Sequence, residues 1–71
     1  MADAAGVVKF WNADRGYGFI RRDDGQEDVF VHVTALFAAG MDILREKDRV
    51  VFDLEPSRNG KGPKAVNIAL E

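Results

Sequence analysis

Residues Arg15–Val33 read RGYGFIRRDDGQEDVFVHV. Two β-branched and aromatic runs, GYGFIRR and VFVHV, flank the turn-forming segment DDGQED. Runs of this kind joined by a short Asp/Gly-rich connection form a β-hairpin. Strand side chains alternate between faces. On the first run Tyr17, Phe19 and Arg21 therefore share one side and Ile20 takes the other. On the second, Phe30 and His32 share a side, and Val29, Val31 and Val33 take the opposite one. Pairing the two runs collects Tyr17, Phe19, Phe30 and His32 on one surface. The valines on the reverse surface supply a core.

Three more runs extend the pattern outward. GVVKFWN (Gly6–Asn12) precedes the hairpin, and DRVVFDLEP (Asp48–Pro56) and KAVNIALE (Lys64–Glu71) follow it. The last two are joined by SRNGKG, whose Asn59-Gly60 pair is a turn signal. TALFAAGMDIL (Thr34–Leu44) holds one helical turn with Thr34 as its N-cap, and REKDR (Arg45–Arg49) turns into the fourth strand. Five short strands around one core predict an all-β fold, a five-stranded antiparallel barrel. On the first strand, alternation pairs Lys9 with Trp11 and Val8 with Phe10, so a bulge is needed to bring Phe10 and Trp11 to one side.

The chain has 71 residues, enough for a single small domain. It contains no cysteine and one histidine. Disulfides, thiolate zinc sites and histidine metal clusters are thereby excluded, and no cofactor is expected. Regular strand pairing must supply the stability. An apolar fraction of 46% with 31% charged residues is that of a globular domain. No apolar stretch approaches a membrane span. Met1–Ala5 lacks the basic-then-apolar order of a secretory signal, so a flexible start over 1–5, a domain over 6–71 and a cytoplasmic location are expected.

Aromatic rings beside cations suit single-stranded nucleic acid. Every base offers a π-face, and each stacked base contributes roughly 1–3 kcal/mol. Lys9, Arg15, Arg21 and Lys61 are candidates to meet phosphates, and His32 to stack or donate a hydrogen bond. Gly16 and Gly18 leave flat backbone between the rings. A core role for the same aromatics competes with this reading, but the valines already claim the interior. The net charge of −2 runs against the basic balance usual for nucleic-acid binders, so the local field on the face has to decide. The acidic cluster Asp23, Asp24, Glu27 and Asp28 lies in a hairpin turn without the ligand spacing of a calcium loop. Gly60–Pro63, GKGP, lacks the glycine spacing and following helix of a phosphate loop. No catalytic constellation is present in the sequence, and neither an enzymatic activity nor a small-molecule substrate is expected.

GVVKFWNADRGYGFI followed by DVFVHV closely resembles the bacterial cold shock domain, and the likeness continues through GKGPKAVNI (Gly60–Ile68). The resemblance implies a barrel of the oligonucleotide-binding (OB) type. It implies binding of single-stranded RNA and DNA with little sequence preference, and a role as RNA chaperone or transcription antiterminator. It further implies base stacking by Tyr17, Phe19, Phe30 and His32, and phosphate or base-edge contacts from Lys9, Asn12, Arg15, Asp28 and Lys61. The departures concern rings. The family's first-strand Trp-Phe order is exchanged here to Phe10-Trp11, both candidates to meet nucleic acid, with Phe10 at the usual stacking-Trp position; Val33 stands where Phe is frequent, and Met41 replaces a loop aromatic. Phe37, earlier in that loop, is a candidate to compensate, and Arg58, Lys61 and Lys64 bring charge to the last turn. Fewer rings predict lower affinity than a fully aromatic member has. A monomer is expected. The alternative is a protein-interaction barrel using the same aromatic face as an apolar hot spot.

Overall fold

The hairpin forms in the register that places the four rings together. Tyr17 pairs with His32, Gly18 with Val31, Phe19 with Phe30 and Ile20 with Val29. A computed structural model describes residues 3–56 and 62–71. Its elements are β1 (Ala4–Asn12), β2 (Tyr17–Arg22), β3 (Val29–His32), helix α1 (Val33–Ala38), β4 (Arg49–Pro56) and β5 (Pro63–Leu70). The strands close into a barrel in the order β1-β2-β3-β5-β4. All pairings are antiparallel except β3 with β5, which meet in parallel at Phe30 and Lys64. β1 begins at Ala4, inside the stretch the sequence set apart as flexible, because Ala4 and Ala5 pair with Phe52 and Val51 of β4.

The interior holds Val8, Ile20, Val29, Val31, Leu36, Leu44, Val50, Phe52, Ala65 and Ile68. Burying one such Val, Leu, Ile or Phe contributes about 1.5–3 kcal/mol. The valine face expected from alternation is thus the inside of the barrel, with one exception. Val33 leaves the strand and starts α1, where it is half-buried against Gly16. Leu36 is the one α1 residue that enters the core. Ala35 and Met41 pack against the core from the same connection.

The helix corrects one expectation. Its N-cap is His32, not Thr34. His32 is the last residue of β3 and keeps extended backbone, φ −110° and ψ 153°, so it stands just outside the helix. Its ring Nδ1 accepts the Thr34 N–H at 3.3 Å. A side-chain acceptor for an early N–H is what a cap requires, and the imidazole reaches it from the preceding strand.

A bulge breaks β1 between Val8 and Phe10. The Arg45–Asp48 turn closes against this bulge: Val8 N–H donates to the Asp48 carbonyl at 2.9 Å, and Lys47 N–H donates to the Val8 carbonyl at 2.8 Å. Two residues past the turn's start, Lys47 adopts φ 73°. On the far side, Arg49 of β4 clasps Glu71 Oε2 at 2.7 Å and Asp23 Oδ2 at 2.6 Å. The hydrogen bonds to those two carboxylates, that to Glu71 first, raise the guanidinium's affinity for its proton further.

Candidate nucleic-acid interface

The outward side of β1–β3 carries a continuous tract of rings. Phe30 is central. Its ring is nearly parallel to that of Tyr17 at 6.0 Å and 21°, and to His32 at 6.4 Å and 29°. Phe19 meets Phe30 edge-on at 5.8 Å, and Tyr17 meets Phe19 edge-on at 6.2 Å. Phe10 extends the tract from β1, 5.8 Å from Tyr17 at 66°. Offset and edge-to-face contacts at these distances hold rings in place while leaving outer faces bare. Arg15, Tyr17, Phe19, Phe30 and His32 line an open groove of about 700 Å³.

The bulge explains which first-strand ring belongs to this surface. Val8 is buried, whereas Phe10, two residues on, is 36% exposed among the outer rings. Trp11 turns the other way and packs against the core. Strict alternation, which paired Val8 with Phe10, fails at the bulge, and the bulge separates Phe10 from Trp11 rather than uniting them. Trp11, expected among the nucleic-acid contacts, is half-buried with its indole beside Gly18. Gly18 serves Trp11, not a ligand: it is buried, and a Cβ there would lie 2.8 Å from Trp11 Cε3 and closer still to the Phe10 carbonyl. The expected flat strip between the rings is at Gly18 the space that lets the indole lie against the hairpin.

The polar residues divide into two groups. Asn12 Oδ1 accepts the N–H groups of Asp14 and Arg15, both at 3.1 Å, and so shapes the turn that presents Arg15 to the groove. Arg15 is exposed and forms no ion pair among the described residues. Lys9 is paired with Asp28 at 2.9 Å, and the two border a second cleft of about 350 Å³ with Phe10 and Phe19. Arg21 is exposed but borders a different hollow, with Lys9, Glu46 and Lys47, away from the aromatic groove. Phe37 is 61% exposed on α1 and stacks on none of the platform rings. Lys61 lies outside the described residues.

Lys64 enters from β5. Through the parallel pairing with Phe30 it stands beside the centre of the tract, 3.3 Å from Glu55. It lines a cleft of about 170 Å³ with His32, Thr34, Ala35, Ala65 and Val66. The sequence marked Lys64 only as a charge near the last turn. Its place beside Phe30 depends on a long-range pairing that no local pattern announces.

The acidic turn is structural. Asp23 binds Arg49, Asp28 binds Lys9, and Asp24 binds Arg22 at 2.6 Å. The Gln26 backbone N–H, aided by Arg22, holds the Asp24 carboxyl below its usual range. No group of His, Cys, Asp and Glu among the described residues is arranged to hold a metal ion. No helix among them is long and apolar enough to cross a membrane.

Known proteins carry the same pattern. The model of the family described as "'Cold-shock' DNA-binding domain" matches residues 4–70. Cold shock protein 1 of Lactiplantibacillus plantarum is 49% identical over 63 residues, covering 89% of this chain and 91% of that protein. Cold shock-like protein CspG of Escherichia coli is 46% identical over 63 residues, covering 89% and 87%. Major cold shock protein of Streptococcus pyogenes is 46% identical over 65 residues, covering 92% of each. A closed five-stranded barrel, a ring-bearing hairpin and a family match spanning nearly its whole length agree: the chain belongs to the cold shock domain family, whose members are non-enzymatic and bind nucleic acid.

Proposed function

We propose that the chain binds single-stranded RNA and DNA across the β1–β3 face with little sequence preference. The observation that carries this reading is the tract Phe10–Tyr17–Phe19–Phe30–His32, whose rings are held by one another and open to solvent on the groove side. Planar, uncharged rings accept any base, and Arg15, Lys9, Lys64 and Lys61 supply attraction for the phosphates. Asp28 and Asn12 contribute at the edge, the first as an acceptor for base amino groups, the second by holding Arg15. Trp11 lies against Gly18 from below.

Such a protein works by mass action. Binding only the unpaired form pulls weak RNA hairpins open with no energy source. This is an RNA chaperone, acting as a cytoplasmic monomer, and opening of terminator hairpins extends the same action to transcription antitermination.

The test is a titration of a short fluorescently labelled oligothymidine, followed by anisotropy at low and moderate salt. Saturable binding that weakens as salt rises is expected. No binding at either salt would overturn the reading and direct the search to a protein partner for the aromatic face.

A further inference from the structure

His32 has one ring nitrogen that is already committed. The backbone N–H of Thr34 donates to its Nδ1 at 3.3 Å, and Thr34 Oγ1 lies 3.0 Å from the same nitrogen. A backbone N–H can only donate, so Nδ1 must present its lone pair. A neutral imidazole has one acceptor and one donor nitrogen. Helix capping therefore selects the tautomer, with the proton on Nε2 and Nδ1 turned inward. The ring is also orientated: it is stacked on Phe30 and stands opposite Tyr17 in the β2–β3 register. It is exposed and borders both the aromatic groove and the smaller cleft that holds Lys64. The charged groups sharing those two spaces are Arg15 and Lys64, both cationic.

We propose that His32 is a fixed hydrogen-bond donor as well as a stacking ring. Its Nε2–H meets an oxygen acceptor of the bound strand, either a base carbonyl or a phosphodiester oxygen. The other rings of the tract accept any base; this residue distinguishes positions by what oxygen they present. If the acceptor is a base carbonyl, adenine is disfavoured at that one position, because it has none. The inference rests on the reading that single strands bind this face.

Two measurements test it. The first is long-range ¹H–¹⁵N correlation of the His32 ring in the free protein at neutral pH. In the neutral ring the proton is expected on Nε2. A neutral ring carrying its proton on Nδ1 would overturn the proposal. The second walks two modifications along a short oligothymidine: a difluorotoluene nucleotide, which keeps the shape of thymine without its carbonyls, and an uncharged methylphosphonate linkage. The parent protein is expected to lose about threefold to tenfold in affinity at one position, the range of one hydrogen bond. His32→Phe, which keeps a ring without the N–H, is expected to show no further loss there. Dependence on difluorotoluene assigns a base carbonyl, and dependence on methylphosphonate assigns a phosphodiester. His32→Asn keeps a cap acceptor and checks, with thermal melting, that loss of the cap is not what is being read. A walk in which no position depends on His32, by a parent that binds unmodified oligothymidine, would overturn the donor role alone. A parent that fails to bind unmodified oligothymidine would overturn the function and this inference with it, whatever the tautomer.

Discussion

Val8 and Phe10 lie two residues apart on one strand and serve opposite sides of it. Val8 is 1% exposed in the core, and Phe10 is 36% exposed among the outer rings. The inserted Lys9 changes the face, and the Arg45–Asp48 turn, continuing the β1–β4 edge past Val7, bonds both backbone groups of Val8 beside the bulge. Bulges re-aim side chains in this manner at functional edges.

Phe30→Ala removes the ring that touches Tyr17, Phe19 and His32. Affinity for oligothymidine is expected to fall by more than about 1 kcal/mol, at least fivefold. The half-buried ring lies outside the core, so thermal unfolding is expected to shift by about 1 kcal/mol or less. Equal affinity of mutant and parent would remove Phe30 from the interface.

Gly18→Ala acts on the fold. The added methyl group meets the Phe10 carbonyl and the Trp11 ring from the buried side of the hairpin. Overpacking of this kind costs about 1–3 kcal/mol. Denaturant unfolding followed by Trp11 fluorescence should show that loss together with a changed native emission. An unchanged midpoint would mean that the indole does not rest on Gly18.

Lys47 adopts a left-handed conformation, φ 73°, that favours glycine. Lys47→Gly relieves roughly 1–2 kcal/mol of strain and returns roughly 0.5–1 kcal/mol in chain entropy. A net gain near 0.5–1 kcal/mol is expected by equilibrium unfolding. A loss would show that the lysine side chain makes a stabilising contact.

Salt dependence should be shallow for a nucleic-acid binder. Lys9 and Lys64 are each held by a carboxylate, and Arg15 forms no ion pair among the described residues. Two to four phosphate contacts on a single strand, the most that Arg15, Lys9, Lys64 and Lys61 provide, give a slope of log K against log salt of about −1.4 to −2.8. A slope steeper than about −4 would require a more extensive cationic track than these residues form.

Acid should weaken the fold through Asp53. Its carboxylate accepts Asn67 Nδ2 at 2.9 Å and the Asp3 N–H at 3.0 Å, and these bonds, that from Asn67 first, hold its folded pKa below the ordinary 3.8. With the folded value below the unfolded one, the contribution is complete above the unfolded pKa and disappears as pH falls through the folded pKa. Asp53→Asn is expected to flatten the decline of melting temperature as pH falls through and below the ordinary carboxylate range. An identical acid limb in the mutant would exclude Asp53 as its source.

The hairpin was legible because two alternating runs share one short turn, and Tyr17, Phe19, Phe30 and His32 follow from parity alone. Phe10 and Trp11 were not, because no local pattern announces the bulge at Lys9, beside which the distant Arg45–Asp48 turn docks. The helix cap was misplaced for a related reason. Thr34 has the composition of a cap, but the strand delivers His32 one turn-step earlier, and an imidazole acceptor is not among the usual signals. Lys64 comes beside the rings through the long-range pairing of β3 with β5, information that no window of neighbours contains.

That pairing has a mechanical consequence. Among the described residues the barrel's other seams are sewn by several residue pairs each, while β3 and β5 share the single pair Phe30 and Lys64. A cylinder with one loosely stitched seam breathes there first. Amide hydrogens of Phe30 and its neighbours should exchange with solvent sooner than those of β1 and β4. Earlier exchange there would mark the line through Phe30 and Lys64 as the part of the wall that opens first, directly beneath the central ring of the platform.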